Sequence, residues 1–583
     1  MDEEITNFNQ SRELHLANAH EIIRMLRAGE IKPKCLVDVC KQRHASQDSI
    51  VHSTPTTCFE RAETFINEHL KDTILGGCPV LIKDLNEVEN VRTTFGSVLY
   101  ADFVPKQSDP TVCLLETNGA VVCGKTNSPE FGAGSQTFNR LFPSTRSPRD
   151  IRTTSGGSSG GSASALASHQ CWLASGSDLG GSLRIPAAFC GVVGFRASPG
   201  LTVRDDEETK SGPRHNLHAV DGPMGRVVRD VAIFLDAMTT KTKRTPGWDF
   251  DSPSFDKKKM PSILVSDGPC SDNYFETISM RATKKAILLL RRDKTRKSNT
   301  KLTVGFSTLN CPCDSQIERC CLNAARLFVK YLRYVVRVVR ISFVSLHNRL
   351  LEHRYESDTV SLQRHVRFDD KTAWRLFSVL RAEKFRTSFE KLVKSSSTHR
   401  YDLKPEVVWN TEQGMMEGHN VTEALKESET FLAEIERLFR DDIDLLLVPA
   451  TPCLSFDVNV RYPNTICGAQ CDSYLDWMRL ACVISSTGCP TAVIPCGFSC
   501  DGRTIGIQIV APPGRDDIAV AAASFLETIL HCELPSVRAI HAAESEPMLG
   551  TCDLSDVDGP RTSQDAARHH NLSDWKEGWL VDE

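Results

Sequence analysis

TTSGGSSGGSASALASHQCWLASGSDLGGSLRIPAAFCGVVGFRASPG, residues 153–200, decides the fold of this chain. It holds two segments rich in glycine and serine, TSGGSSGGSAS (154–164) and SGSDLGGS (175–182), separated by a short apolar run. Glycine lets the backbone approach a ligand closely, and the N–H groups of such loops can face an oxyanion. A flexible linker has a similar composition, but a linker would not run directly into the apolar stretch IPAAFCGVVGF (185–195). That stretch predicts a buried helix or strand, so Ser182 at its border is a candidate nucleophile.

A base for this serine is less obvious. Within the stretch only His169 could serve, and no Asp–His pairing is evident nearby. Lys83 in CPVLIKDLNEV (78–88) follows the apolar run Pro79–Ile82, which predicts a short buried strand with the ammonium group at its end. A lysine acts as a base only when it is neutral, and burial favours the neutral form. The alternative is a structural salt bridge between Lys83 and Asp84 or Glu87.

Three motifs closely resemble the amidase signature family: Lys83 in PVLIKD, Ser158 in GGSSGGS and Ser182 in GSDLGGSLRIPAAFCG. The intervals of 99 residues from Lys83 to Ser182 and 24 from Ser158 to Ser182 also match. The resemblance runs from about residue 15 to 530, and further collinear motifs carry it: GKTNSPEFGAGS (124–135), DGPMGRVVRD (221–230), KPEVVWNTEQG (404–414) and STGCPTAVIPCGF (486–498).

The resemblance implies a role for each of these residues. Ser182 would be the acyl-accepting nucleophile, Lys83 the base, and Ser158, held by a cis peptide after Gly157, the proton relay between them. The remaining implied site residues are the oxyanion-binding N–H groups of Leu179, Gly180, Gly181 and Ser182 and the supporting residues Ser159, Asp178 and Arg184. No metal and no cofactor is expected.

The implied activity is that of a serine amidohydrolase. It would cleave a carboxylic amide C–N bond through an acyl-enzyme on Ser182 and release a carboxylate and ammonia or an amine. Two alternatives remain: the glutaminase component of a glutamyl-tRNA amidotransferase, known as its A subunit, and a catalytically silent amidase-like binding protein. KPEVVWNTEQG and YLDWM (474–478) look more like the motifs of stand-alone bacterial-type amidases than those of amidotransferases. Fatty-acid amide hydrolase is the other named relative to consider. The substrate itself is left open.

Alternating strand and helix patterns predict an α/β fold with a largely parallel sheet. The resemblance implies a single large domain, residues 1–535, with a twisted mixed sheet of about ten strands and helices on both faces. Its core motifs lie in 76–230 and 404–530. Residues 316–339 predict a helix followed by a strand. A basic segment at 256–300 is expected to be an insertion, and the polar tail at 536–583 is expected to be disordered.

Composition restricts the class of partner and the cellular compartment. The net charge of −5 over 583 residues gives no sign of attraction to nucleic acid, so no direct nucleic-acid partner is expected. The resemblance implies a small-molecule amide as the partner. No apolar run is long enough for a transmembrane anchor, and the acidic N-terminus does not resemble a leader. The 22 cysteines are scattered through apolar segments, which favours a reduced, cytoplasmic protein. A homodimer is left as a possibility.

GAVVCGKT, residues 119–126, matches the phosphate-binding P-loop pattern. A P-loop needs a strand before it and a helix after it. Here the four middle residues themselves predict a strand, and Pro129 follows in a predicted loop. We therefore expect no nucleotide site at this position.

Overall fold

The computed structural model describes residues 14–202, 219–239, 302–343, 360–395, 402–416, 418 and 420–533. The strands within these residues are β1 Thr56–Thr57, β2 Pro79–Lys83, β3 Val121–Thr126, β4 Arg146–Ser147, β5 Asp150–Thr154, β6 Leu173–Asp178, β7 Val193–Arg196, β8 Val220–Gly225, β9 Leu302–Phe306, β10 Val360–Arg364, β11 Leu445–Pro449, β12 Thr465–Ile466, β13 Ala469–Gln470, β14 Thr491–Phe498 and β15 Thr504–Val510. The α-helices are α1 Ala19–Ala28, α2 Pro33–Val51, α3 Phe59–Phe65, α4 Pro110–Thr117, α5 Gly160–Ala167, α6 Arg184–Cys190, α7 Val228–Met238, α8 Ser315–Phe343, α9 Asp370–Lys394, α10 Pro405–Met415, α11 Val421–Arg437, α12 Arg479–Ser486 and α13 Asp516–Glu533.

Eleven of these strands form one mixed sheet in the order β1-β3-β2-β6-β8-β7-β14-β15-β11-β9-β10. The predicted closing hairpin is present, since β14 and β15 pair in antiparallel orientation. Strands β4–β5 and β12–β13 form two small antiparallel pairs outside it. The α/β class and the mixed sheet are therefore confirmed, with eleven strands in place of about ten. The expectation of a largely parallel sheet is wrong, because four of the ten pairings between neighbouring strands in the described residues are parallel and six are antiparallel.

Strand β11 shows how the sheet is covered on both faces. Leu445 and Leu447 pack in a cluster with residues of α8 and α13. The alternate residues Leu446 and Val448 pack with residues of α9 and α11 instead. Because successive side chains of a strand point to opposite faces, these two clusters lie on opposite sides of the sheet.

Neighbouring parallel strands bring the two ends of the predicted site together. β2 pairs in parallel with β6, with Val80 opposite Leu173 and Leu81 opposite Ala174. Parallel neighbours end at the same edge of a sheet. Lys83, the last residue of β2, therefore lies beside the loop that follows β6 and leads to Ser182.

The sequence supports predictions for three individual segments: 316–339, 256–300 and 536–583. The strand predicted at the end of 316–339 is wrong, since α8 continues to Phe343. The β-branched residues there favour strands only weakly, and a helix that is already formed extends at little cost. The expected insertion at 256–300 and the tail at 536–583 lie outside the described residues. Across the residues that are described, no helix is long and apolar enough to cross a membrane.

The P-loop pattern is not a phosphate-binding loop. Its Gly124, Lys125 and Thr126 belong to strand β3 rather than to a loop that starts a helix. The Lys125 ammonium is buried and donates to Asp84 at 2.9 Å and to the Thr93 hydroxyl at 2.7 Å. This lysine is therefore part of a buried ion pair.

Candidate active site

Lys83 is fully buried at the end of β2, among three serine hydroxyls. Its ammonium group donates to Ser158 Oγ at 2.7 Å, to Ser159 Oγ at 2.9 Å and to Ser177 Oγ at 3.0 Å. The carboxylate of Asp84, one of the two partners considered for a structural salt bridge, pairs with Lys125 instead. The environment of Lys83 is thus suited to proton exchange with hydroxyl groups.

Ser158 lies in the first glycine-rich loop, directly before helix α5. The peptide bond between Gly157 and Ser158 is cis, as the resemblance implied. A Cβ atom on Gly157 would lie 3.0 Å from the Gln136 backbone, so a larger residue would require a small shift of that backbone. The loop therefore packs closely against the segment around Gln136, and this contact positions Ser158.

Ser159 links the two glycine-rich loops. Its N–H donates to the Ser182 carbonyl oxygen at 3.2 Å. Its hydroxyl accepts from the Ser177 N–H at 3.2 Å and donates to the Ser177 carbonyl oxygen, also at 3.2 Å. Ser177 was not singled out from the sequence, although it lies in the same SGSDLGGS segment. Ser159 thus fixes the spacing between Ser158 and Ser182 through backbone contacts.

Ser182 is 6% exposed and directly precedes the first turn of α6. Among the described residues its Oγ makes no hydrogen bond, so the structure does not join Ser182 Oγ to Ser158 Oγ. The first half of the implied relay, from Lys83 to Ser158, is present, and the second half is not.

The loop from Leu179 to Ser182 carries the predicted oxyanion donors. Gly181 has φ +111, and its N–H donates to Asp178 Oδ1 at 2.8 Å. That N–H is engaged in holding the loop, so it does not face an oxyanion in this structure. For the N–H groups of Leu179, Gly180 and Ser182, the described residues supply no acceptor, and these three donors are available to a ligand.

Asp178 and Arg184 form a buried ion pair with two contacts of 3.0 Å. Arg196, which sequence reasoning missed, adds a third contact to Asp178 at 3.3 Å. Burial alone would raise the pKa of Asp178, but Arg184 and Arg196 outweigh it and hold the pKa well below its usual range. Asp178 also accepts from the N–H groups of Gly181 and Leu183. The charged pair therefore braces the loop that carries Ser182.

An apolar and aromatic cluster lies beside the site. A Cβ on Gly132 would lie 3.6 Å from Ser158 Oγ, which places the segment around Gly132 beside the relay serine. Its neighbour Phe131 is half-buried and packs in one cluster with Leu179 and Phe389. The rings of Phe131 and Phe389 are 4.6 Å apart. In the described part of the chain, no group of His, Cys, Asp or Glu side chains could hold a metal ion.

Comparison with known proteins adds the family. The Amidase family model matches residues 36–264 and 278–519. The A subunit of the glutamyl-tRNA(Gln) amidotransferase of Desulforapulum autotrophicum is 28% identical over 534 residues, which cover 88% of this chain and 97% of the relative. A bacterial aryl acylamidase of the amidase signature family has a TM-score of 0.67 at 20% identity, covering 91% of this chain and 99% of its own. The 6-aminohexanoate cyclic dimer hydrolase, complexed with substrate, has a TM-score of 0.66 at 20% identity, covering 89% and 98%. At these identities the two solved structures show a shared fold.

Proposed function

We propose that this chain, which belongs to the amidase signature family, hydrolyses a carboxylic amide through an acyl-enzyme on Ser182. The observation that carries the proposal is the buried Lys83 ammonium bonded to Ser158 Oγ at 2.7 Å, beside the loop that presents Ser182. A buried lysine among hydroxyls is an arrangement that activates a serine without a histidine.

The reaction begins with proton transfer. Neutral Lys83 accepts the proton of Ser158, Ser158 accepts the proton of Ser182, and Ser182 Oγ forms a bond to the amide carbonyl carbon. The carbonyl oxygen becomes an oxyanion bound by the N–H groups of Leu179, Gly180 and Ser182. One such donor is worth about 3–4 kcal/mol of the barrier. Gly181, grouped with them in the sequence analysis, contributes by holding the loop through Asp178.

Collapse of the intermediate breaks the C–N bond. The leaving nitrogen takes the proton back through Ser158, because an unprotonated amide anion is a poor leaving group. Water then attacks the acyl-enzyme, with the same relay as base, and the acid product leaves. Ser159, Asp178 and Arg184 keep the two loops in register through the contacts described above.

The proposed catalytic domain spans residues 1–535. The two matched ranges of the family model, 36–264 and 278–519, lie within these bounds. The interval between them falls inside the basic segment at 256–300, which supports its interpretation as an insertion. The tail from 536 onward lies beyond the match.

A second candidate function rests on the relatives. The amidotransferase A subunits from Desulforapulum autotrophicum and Nostoc sp. align over 97% and 99% of their own lengths. In this alternative the acyl-enzyme forms from glutamine, and the ammonia is passed to a tRNA-linked acyl group with partner subunits. The chemistry at Ser182 is the same, so the alternatives differ in what receives the nitrogen.

The experiment is intact-mass analysis after incubation with a fluorophosphonate, followed by peptide mapping. We expect one adduct, on Ser182, in the wild type and none in Ser182→Ala. The same two proteins are then assayed for release of ammonia or amine from a panel of simple amides and from glutamine. Retained turnover in folded Ser182→Ala would overturn the proposal. Turnover of glutamine alone, dependent on added partner subunits, would favour the amidotransferase.

A further inference from the structure

Arg381 is a buried cation whose partners are all neutral. It lies on α9 and is 5% exposed. Its Nε donates to Asn410 Oδ1 at 3.1 Å, and its Nη2 donates to the Tyr474 hydroxyl oxygen at 2.6 Å. The guanidinium carbon lies 4.7 Å from the ring centre of Phe385. No Asp or Glu of the described residues pairs with it, and a buried cation without a counter-ion is unfavourable.

Tyr474 adds a second surplus donor. Its hydroxyl oxygen accepts from Arg381 Nη2 and also from Asn410 Nδ2 at 2.7 Å. Both acceptor positions of the oxygen are therefore used, and the hydroxyl hydrogen must point elsewhere. The described residues supply no acceptor for it, although Tyr474 is buried, with a relative exposure of 5%. Arg381 and Tyr474 thus form a pair of donors that lacks an anion.

This pair lies beside the nucleophile loop. Phe377, one helical turn before Arg381, packs against Gly180, where an added Cβ would lie 2.7 Å from the phenyl ring. Cys482 donates to the Gly180 carbonyl oxygen at 3.5 Å. Burial raises the pKa of the Cys482 thiol to about 12, and Arg381 is the largest of the charges that oppose this rise. Arg381 is therefore close to both Cys482 and the Leu179–Ser182 loop.

We propose that Arg381 and Tyr474 bind a carboxylate of the substrate, so that the substrate is an amide carrying a carboxylate at a short distance from its scissile bond. The inference rests on the proposed function for the bond that is cleaved. A guanidinium and a carboxylate form strong charge-assisted hydrogen bonds, and the Tyr474 hydroxyl supplies one more donor. One turn of α9 separates Arg381 from Phe377, or about 6 Å along the helix axis. Because Phe377 packs against Gly180 in the nucleophile loop, a carboxylate bound at Arg381 would lie near the scissile bond.

Three anilides test the inference: butyryl-4-nitroanilide, which is neutral, glutaryl-4-nitroanilide, with a carboxylate in the acyl part, and butyryl-4-aminobenzoate, with one in the amine part. We expect the wild type to prefer one of the two carboxylates over the neutral amide in kcat/KM. In Arg381→Met this preference falls about tenfold or more, mainly through KM. Arg381→Lys retains the charge and should keep part of the preference that Arg381→Met loses. Tyr474→Phe preserves the ring but should reduce the preference for the carboxylate.

Arg479→Met is the matched control. Arg479 also lies over an aromatic ring, that of Trp374 at 5.0 Å, but it has an acidic partner in Asp370 at 3.2 Å. Its loss is expected to leave the preference for the carboxylate unchanged. The inference would be overturned if Arg381→Met and Tyr474→Phe changed kcat/KM equally for all three amides. It would also be overturned if the wild type did not prefer either carboxylate amide over the neutral one. If Arg381→Met does not fold, Arg381→Lys and Tyr474→Phe decide.

Binding separates this inference from the proposed function. Calorimetric titration of Ser182→Ala with each carboxylate amide requires no turnover. Binding that is lost in the Ser182→Ala, Arg381→Met double variant supports the carboxylate site even if the wild type hydrolyses neither amide. If both carboxylate amides bind the double variant as tightly as they bind Ser182→Ala, the carboxylate site is overturned, even if the wild type hydrolyses the amides.

Discussion

The Lys83 ammonium group donates a hydrogen bond of 2.7 Å to Ser158 Oγ, although 75 residues separate them in sequence. The contact forms because β2 ends beside β6 and the two glycine-rich loops pack around that sheet edge. The same lysine also contacts Ser159 and Ser177. Replacing individual members of this group should therefore separate catalytic contacts from structural ones.

Lys83→Met is expected to lower kcat/KM by about 10²–10⁴-fold, because it removes the base of the relay. The remaining activity should rise with pH, since hydroxide is then the available base. Lys125→Met is a matched substitution of another fully buried lysine. It leaves Asp84 without its partner and is expected to lower the free energy of unfolding by about 3–5 kcal/mol. A pH–rate profile measures the effect of Lys83→Met, and urea denaturation measures the effect of Lys125→Met. A pH–rate profile of Lys83→Met that matches the wild type would show that another group acts as base.

Ser158→Ala should reduce kcat by about 10²–10⁴-fold although Ser158 never carries the acyl group, because the proton path from Ser182 to Lys83 is broken. Ser177→Ala also removes a hydroxyl bonded to Lys83 and should have a much smaller effect, since Ser177 lies outside that path. Burst kinetics with an activated ester or anilide measure the acylation step directly. Equal losses in the two variants would argue against a relay through Ser158.

Gly181→Ala is expected to abolish activity by displacing the loop that carries Ser182. Gly181 has φ +111, and an added Cβ would lie 2.5 Å from the Ala481 Cβ. Gly502 also has a positive φ, +85, but an added Cβ there meets nothing within 4 Å. Gly502→Ala therefore isolates the backbone cost of about 1–2 kcal/mol. Fluorophosphonate labelling reports whether Ser182 is still reactive, and urea denaturation reports the loss of stability in each variant. Normal labelling of Gly181→Ala would contradict the expectation.

Glu130→Gln is expected to reduce the pH dependence of stability. Burial raises the pKa of Glu130 to about 7, opposed by hydrogen bonds from the Ser97 hydroxyl and the Lys404 N–H. The folded protein thus keeps this proton while the unfolded chain releases it near pH 4.5. Stability should fall as pH rises from about 4.5 to about 7, by about 3 kcal/mol in total.

Free energies of unfolding at about pH 5 and about pH 8 test this expectation. Glutamine cannot release the proton, so the difference between the two pH values should be smaller in Glu130→Gln than in the wild type. Glu68→Gln, at an exposed position, is the control and should leave the difference unchanged. The idea fails if Glu130→Gln and Glu68→Gln behave alike.

Much of the local structure could be predicted from the sequence. The apolar run before Lys83 predicts β2, and the pattern of the last motifs predicts the hairpin of β14 and β15. The middle of the P-loop-like pattern has the composition of a strand, and strand β3 is present there. The strand expected at the end of 316–339 was wrong because β-branched residues are also accommodated in a long helix.

Other features depend on contacts between distant segments. Ser177 and Arg196 were missed, since only the pairing of β2, β6, β7 and β8 brings them to Lys83 and Asp178. The engagement of the Gly181 N–H by Asp178 follows from the path of the loop, which composition does not determine.

The sequence by itself determined which residues we propose to carry the chemistry, because Lys83, Ser158 and Ser182 lie in local motifs whose order and intervals resemble those of the family. It also determined that the loops around them must be rich in glycine. Only the tertiary structure decided which hydroxyls Lys83 contacts and which N–H groups remain available to an oxyanion. It alone left Arg381 buried without an acidic partner among the described residues. The physical reason is that hydrogen bonds and burial depend on distances of a few ångströms between segments far apart in the chain, and those distances are set by packing.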